Sequence, residues 1–258
     1  LSGGARGTKP RGDSASRRRR AIVIQRRRLL LTSGLVAAAP WWVRGARAQG
    51  DFEVKVLGDP DAPVEIREYS SLTCPHCATW HTETLPQVKA DYIDRGQAKL
   101  VYRDFPLDLR AWLASAVAHC AGPDRFFTFL NVLYDEQQRW ATAPTNAAAR
   151  RRLEEGGLVE RWRAAGRNEQ ELQSLRSIAG TVNTLIDIAQ FGGLPPERTK
   201  SCLANFDLLD WILGAQREGR QRFDVSSTPT IVVAGEKLVG ARSADEMARR
   251  IEAALGEG

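Results

Sequence analysis

The sequence predicts a two-part α/β fold, with a β-α-β half and a β-β-α half on either side of a long helical insertion. Three observations carry this. Strand-like runs are confined to the two ends, at 52–56, 64–69 and 99–105 and again at 230–233 and 238–240. The stretch 108–222 between them is helical in pattern. Two cysteines two residues apart, Cys74 and Cys77, stand where a strand-like run gives way to a helix-like one. The expected divisions are a leader over 1–48, a first half over 49–107, the insertion with its linking helix over 108–222, and a second half over 223–258.

The leader is set apart by charge. Residues 1–48 hold twelve Lys and Arg against Asp13 alone, which leaves 25 basic and 30 acidic residues for 49–258. The formal charge of +6 therefore belongs to the leader, and the remainder gives no reason to expect nucleic-acid binding. Residues 1–20, rich in Gly, Ser and Arg, read as disordered. Arg26-Arg27-Arg28 then precede an apolar run to Ala39, Pro40-Trp41-Trp42-Val43 follow, and Ala46-Arg47-Ala48 forms a small-x-small site before Gln49. This is the layout of an export signal cut after Ala48, which makes the expected location periplasmic. The adjacent arginines resemble a twin-arginine signal, with Thr32 where such signals often carry Lys. General secretion and an organellar transit peptide are the alternatives. A retained anchor fits less well, because Leu29 to Val43 is short and broken by Pro40.

Beyond the leader, Gly58-Asp59-Pro60-Asp61-Ala62-Pro63 reads as a turn between the first two strands. A helix is expected from Pro75 to about Arg95, kinked at Pro86, and a strand over Lys99 to Phe105 closes the first half. In the insertion, Phe126 to Tyr134 form an apolar cluster. Helices are expected at 168–178 and 181–190, from Pro196, and from about Asp207 to Arg222, with a break at Phe191-Gly192-Gly193-Leu194-Pro195. Pro229 precedes the β-branched run Thr230 to Val233 and is expected at the first position of that strand. Ala234-Gly235-Glu236-Lys237 reads as a hairpin turn, Leu238 to Gly240 as a short strand, and Ser243 to Ala254 as a helix capped by Ser243.

The chemistry centres on Cys74-Pro75-His76-Cys77. Two thiols at a helix N-terminus suit a reversible disulfide with Cys74 as nucleophile, because its thiolate would face unpaired amides and the positive end of the helix dipole. His76, protonated or donating a hydrogen bond, is expected to add a second stabilising term. Half a zinc site is the bland reading of a lone C-x-x-C, but no second one follows. His81 and Trp80, on the first turns of the same helix, read as a surface histidine and a packed tryptophan.

Cys-Pro-His-Cys after a strand, with a carboxylate six residues before the first cysteine, resembles the DsbA-type thiol:disulfide oxidoreductases of the thioredoxin superfamily. The resemblance implies a thioredoxin fold with an inserted helical domain. It also implies introduction of disulfides into reduced or misoxidised exported proteins, and reoxidation by a membrane partner resembling DsbB. The acidic residue at this spacing is associated with a proton relay to the resolving thiol, a role that falls on Glu68; its alternative is a solvent-facing strand residue. The resemblance further implies that Thr228-Pro229 is a cis peptide facing the disulfide and pairing with substrate. No metal or organic cofactor is expected, only the Cys74–Cys77 disulfide, and the chain is expected to act as a monomer.

Cys120 and Cys202 remain. An even cysteine count in an exported protein favours a second, structural disulfide, the alternative being two buried thiols that never meet. Two rivals to the oxidase reading stay open: an isomerase or reductase using the same site, and a non-enzymatic chaperone binding a soft ion such as Cu(I) through Cys74, Cys77 and His76.

Overall fold

Alternation in Val64-Glu65-Ile66-Arg67-Glu68-Tyr69 puts Val64, Ile66 and Glu68 on one face of a strand and Glu65, Arg67 and Tyr69 on the other. In the computed structural model, which describes residues 52–256, that strand lies at the centre of a five-stranded sheet. The strands are β1 (Lys55–Leu57), β2 (Val64–Ser70), β3 (Ala98–Asp104), β4 (Thr230–Val233) and β5 (Glu236–Val239), in the order β1-β3-β2-β4-β5. β2 and β3 are parallel, joined by a crossover helix, and every other pairing is antiparallel. β4, apolar throughout except for Thr230, is buried on both faces. The expected export signal, its cleavage after Ala48 and the twin-arginine reading lie outside the described residues. Among those described, no helix is long and apolar enough to cross a membrane.

Three boundaries differ from expectation. β1 begins at Lys55 rather than Phe52, because the Phe52 ring packs against Trp211, 6.0 Å between centroids, and draws the chain off the sheet edge. β5 begins at Glu236, since the hairpin closes with only Ala234 and Gly235, both at positive φ, as two-residue hairpin turns require. Pro229 stands one residue before β4 rather than on it.

The crossover helix α1 occupies 75–93. It is α-helical over Pro75–Thr79 and Leu85–Val88 and widens to π-turns over Trp80–Thr84 and Lys89–Ile93. Pro86 offers no N–H to the preceding turn, and the first widened turn sits immediately before it.

Nine helices separate the two halves of the sheet: α2 (Leu109–Cys120), α3 (Phe126–Asp135), α4 (Gln137–Ala141), α5 (Ala147–Glu155), α6 (Leu158–Ala164), α7 (Glu169–Ser177), α8 (Ala179–Phe191), α9 (Pro196–Leu203) and α10 (Phe206–Phe223). Four of these starts follow side-chain caps: Asp108, Asn146 and Asn205 each accept a backbone N–H, and Asn168 with Glu171 forms a capping box, each cap worth about 1 kcal/mol. α10 returns across the Tyr69 face of the sheet. Gly219 permits the approach, since a Cβ there would lie 2.6 Å from the Tyr69 ring. The last helix, α11 (Ala244–Gly256), is capped by Ser243 and buries Met247 and Ile251 with Val64, Ile66 and Trp80.

Cys120 at the end of α2 and Cys202 in α9 form a disulfide, Cα–Cα 6.1 Å, across 82 residues of chain. A cross-link of this span stabilises by about 4–5 kcal/mol in the chain-entropy model, by restricting the unfolded chain. Cys120→Ala/Cys202→Ala is therefore expected to lose about that much stability in urea unfolding while leaving the titration of Cys74 unaltered.

Candidate active site

The turn Ser71-Leu72-Thr73 carries the chain from β2 into α1 and leaves Cys74 as the residue capping the helix, with Pro75 pre-set for its first turn. Both cysteines are free thiols. Cys74 is nearly covered, at 6% exposure, and Cys77, one turn in, is fully buried. The Thr228–Pro229 peptide is cis, and the Thr228 carbonyl oxygen lies 3.3 Å from Cys74 Sγ. Residues 154 positions apart in the chain thus meet at the reacting sulfur.

The environment separates the two thiols. Cys74 is lowered to about 5, first by a hydrogen bond from the Cys77 thiol, against the opposing effect of burial, and then by Thr228 and the backbone N–H groups of Cys77 and His76. Burial pushes Cys77 well above the ordinary thiol value, and its bond to the neighbouring thiolate raises it further. His76 contributes through its backbone amide rather than as expected: its side chain is exposed, and among the described residues its imidazole makes no hydrogen bond.

Glu68 is completely buried, which removes the solvent-facing alternative. It shares its face of β2 with Val64 and Ile66, and α1 covers that face. Its Oε1 lies 3.0 Å from His81 Nε2, while among the described residues Glu68 Oε2 and His81 Nδ1 have no hydrogen-bond partner. His81 is therefore no surface residue. Four positions after Cys77 on α1, it points inward and stacks on Tyr134, 4.2 Å between centroids. Tyr134 shares a 2.8 Å hydrogen bond with Ser70, Tyr102 joins Tyr134 at 3.3 Å, and the Ser71 N–H donates to Cys77 Sγ at 3.5 Å. Burial raises both tyrosines well above their usual range, so they act as neutral hydroxyls.

Sequence reasoning missed two residues. For His81 the signal was its i,i+4 spacing from Cys77 on the face that meets the sheet. For Gln137 there was none: this buried α4 side chain donates from Nε2 to the Leu72 and Cys74 carbonyls at 2.8 and 2.9 Å. Beside it a groove of about 310 Å³ opens between Thr73, Pro75, Leu107, Gln138 and Ala141.

A family model described as "Thioredoxin" matches residues 53–253. The chain belongs to the thioredoxin family. Within it, a "Putative protein-disulfide oxidoreductase" of Rickettsia felis is 28% identical over 203 residues, covering 78% of this chain and 60% of that protein. The chain thus spans about three fifths of the length of the curated relatives it matches. Two solved thioredoxin-like structures share the fold. Wolbachia pipientis alpha-DsbA1 has a TM-score of 0.61 at 22% identity, covering 80% of this chain and 92% of that one. A protein-disulfide isomerase from Novosphingobium aromaticivorans has a TM-score of 0.62 at 24% identity, covering 78% and 97%. The expected α/β thioredoxin fold with a helical insertion, of the DsbA-like kind, is the fold the chain has.

Proposed function

We propose that the protein is an exported thiol:disulfide oxidoreductase that introduces disulfides into other exported proteins. The observation that carries this reading is the asymmetry of the pair: a Cys74 thiol lowered to about 5 beside a Cys77 thiol held well above its ordinary value. Each unit by which the pKa of Cys74 falls below the ambient pH stabilises the reduced form by about 1.4 kcal/mol, equivalent to about 30 mV of oxidising potential. At pH 7 a thiol at about 5 gives the pair roughly 60 mV over one whose first thiol ionises at neutrality.

In the oxidised protein a client thiolate attacks Cys74 Sγ, the Cys74–Cys77 bond breaks, and Cys77 leaves and is protonated. A second client thiolate then attacks the client sulfur of the mixed disulfide, and Cys74 leaves as the thiolate. The client has lost two electrons and the pair has gained them. A membrane partner resembling DsbB returns the pair to the disulfide. The Thr228 backbone, beside Cys74 Sγ, is where an extended client segment would pair. Glu68, buried with His81 between β2 and α1, is the acceptor that receives and returns the proton of Cys77.

The test is the redox equilibrium of the Cys74–Cys77 pair in the purified protein against a glutathione series, with disulfide transfer to a reduced, unfolded protein measured alongside. An oxidising equilibrium with rapid transfer is expected. A strongly reducing equilibrium, or efficient reshuffling of scrambled disulfides without net oxidation, would assign the site to reductase or isomerase work instead.

A further inference from the structure

Gln137 belongs to the helical insertion, yet both hydrogen bonds recorded for its side chain reach the turn that presents Cys74. A single side-chain NH2 carries two hydrogens, and both neighbours are carbonyl oxygens, so only the nitrogen can face them and the amide orientation is dictated. The Leu72 carbonyl has no other hydrogen-bond partner among the described residues, while the Cys74 carbonyl also accepts the Ala78 N–H as the first bond of α1. The donor is itself anchored. Trp140, fully buried one turn on, donates to the Leu133 carbonyl at 2.7 Å, and Arg110 donates to the Ala141 carbonyl at 3.0 Å.

We infer that Gln137 is a positioning residue for the thiol pair: by tying the Leu72 and Cys74 carbonyls to the insertion, it fixes the turn from which Cys74 addresses its substrate. This rests on the reading of Cys74 as the nucleophile. The physical link is the cap geometry. Cys74 sits at φ −83° and ψ 120°, an extended conformation that makes it the cap of α1, beside the first amides of the helix and without a side-chain cap hydrogen bond. The pull of those amides on a thiolate falls off within the first turn, so it depends on where the cap residue is held. A clamp on the carbonyl of the same residue, and on that of Leu72 two positions before it, holds it there. The helical insertion is thereby a component of the redox site as well as a cover for the core.

The experiment is a thiolate titration of the reduced protein by ultraviolet absorbance, paired with its equilibrium against glutathione, for the parent and for Gln137→Met, which keeps the volume and loses the donors. The expected result is a Cys74 midpoint about one unit higher and, with it, an equilibrium shifted about tenfold toward the oxidised protein. Gln137→Glu, which sets a carboxylate against the two carbonyls, is expected to move both further in the same direction. Should Gln137→Met fail to fold, Gln137→Asn, which keeps the amide but falls a methylene short, is read the same way. A folded variant with the parent's midpoint and equilibrium, differing only in unfolding stability, would overturn the inference and leave Gln137 a packing residue. A parent protein without a low-pKa thiol would instead overturn the reading of Cys74 on which the inference rests.

Discussion

Titration of the reduced protein is expected to show one thiol ionising near pH 5 while the second stays protonated well above neutrality. Alkylation by a small reagent should then be fast at pH 6, where an ordinary cysteine is almost wholly protonated. Cys74→Ser is expected to abolish both the fast alkylation and disulfide transfer. Cys77→Ser is expected to keep alkylation but lose net disulfide transfer, since no Cys74–Cys77 bond can form, and a Cys74 that attacks a client disulfide should stay trapped in the mixed disulfide because the neighbouring thiol that would displace the client is gone. The same shift fixes how stability depends on pH. Cys74 is depressed in the folded reduced protein, so its contribution is complete above the unfolded thiol value of about 8.5 and is lost as pH falls through about 5. Between those limits the reduced form gains about 1.4 kcal/mol per pH unit relative to the oxidised form, which has no thiol to titrate at this site. Parallel unfolding of the two forms from pH 4 to 8 measures it. A difference that stays flat across that range would mean that the amides of His76 and Cys77 do not hold a thiolate.

The parts of this site that could be read from the sequence are those whose chemistry is local. A strand pattern running into Cys74-Pro75-His76-Cys77 fixes a thiol at a helix N-terminus, and a proline just ahead of Thr230 to Val233 marks the approach to a strand. Four of the insertion's helices, at 168–178, 181–190, from Pro196 and to about Arg222, were legible to within a few residues, since breaks such as Gly192-Gly193 act within a turn or two, whereas the five before them were not delimited. What failed depends on residues distant in sequence. Phe52 leaves the sheet edge because Trp211 waits on α10. His81 looked like a surface residue because nothing beside it reveals that Tyr134 will stack on it or that Glu68 will face it. His76 was expected to act on Cys74 by adjacency; its side chain is exposed and makes no hydrogen bond among the described residues, while its backbone amide is among the groups that lower Cys74. Gln137 gave no signal, since a glutamine opening a short helix is ordinary until Leu72 and Cys74 stand above it.

Glu68→Leu is expected to cost about 1–3 kcal/mol in urea unfolding, because it leaves His81 Nε2 buried without the carboxylate it pairs with. The larger result is expected from the double substitution. Among the described residues, the native pair leaves Glu68 Oε2 and His81 Nδ1 buried without partners, each such atom costing about 1–3 kcal/mol. Glu68→Leu/His81→Phe removes both and lets an aromatic ring keep the stack on Tyr134, so it should recover most of the loss and equal or exceed the parent in stability. Its disulfide exchange should nonetheless be slower, with a flattened pH dependence, since Cys77 would have no acceptor beneath it for its proton. The two outcomes together separate a structural pair from a functional one. A pair kept for stability alone would not be improved by apolar replacement, and a relay is not replaceable by leucine and phenylalanine. A double variant exchanging at the parent's rate with the parent's pH profile would show that Glu68 and His81 take no part in moving the Cys77 proton. A stable variant with slow exchange would show that the fold gives up stability at this point to keep a titratable pair under the resolving thiol.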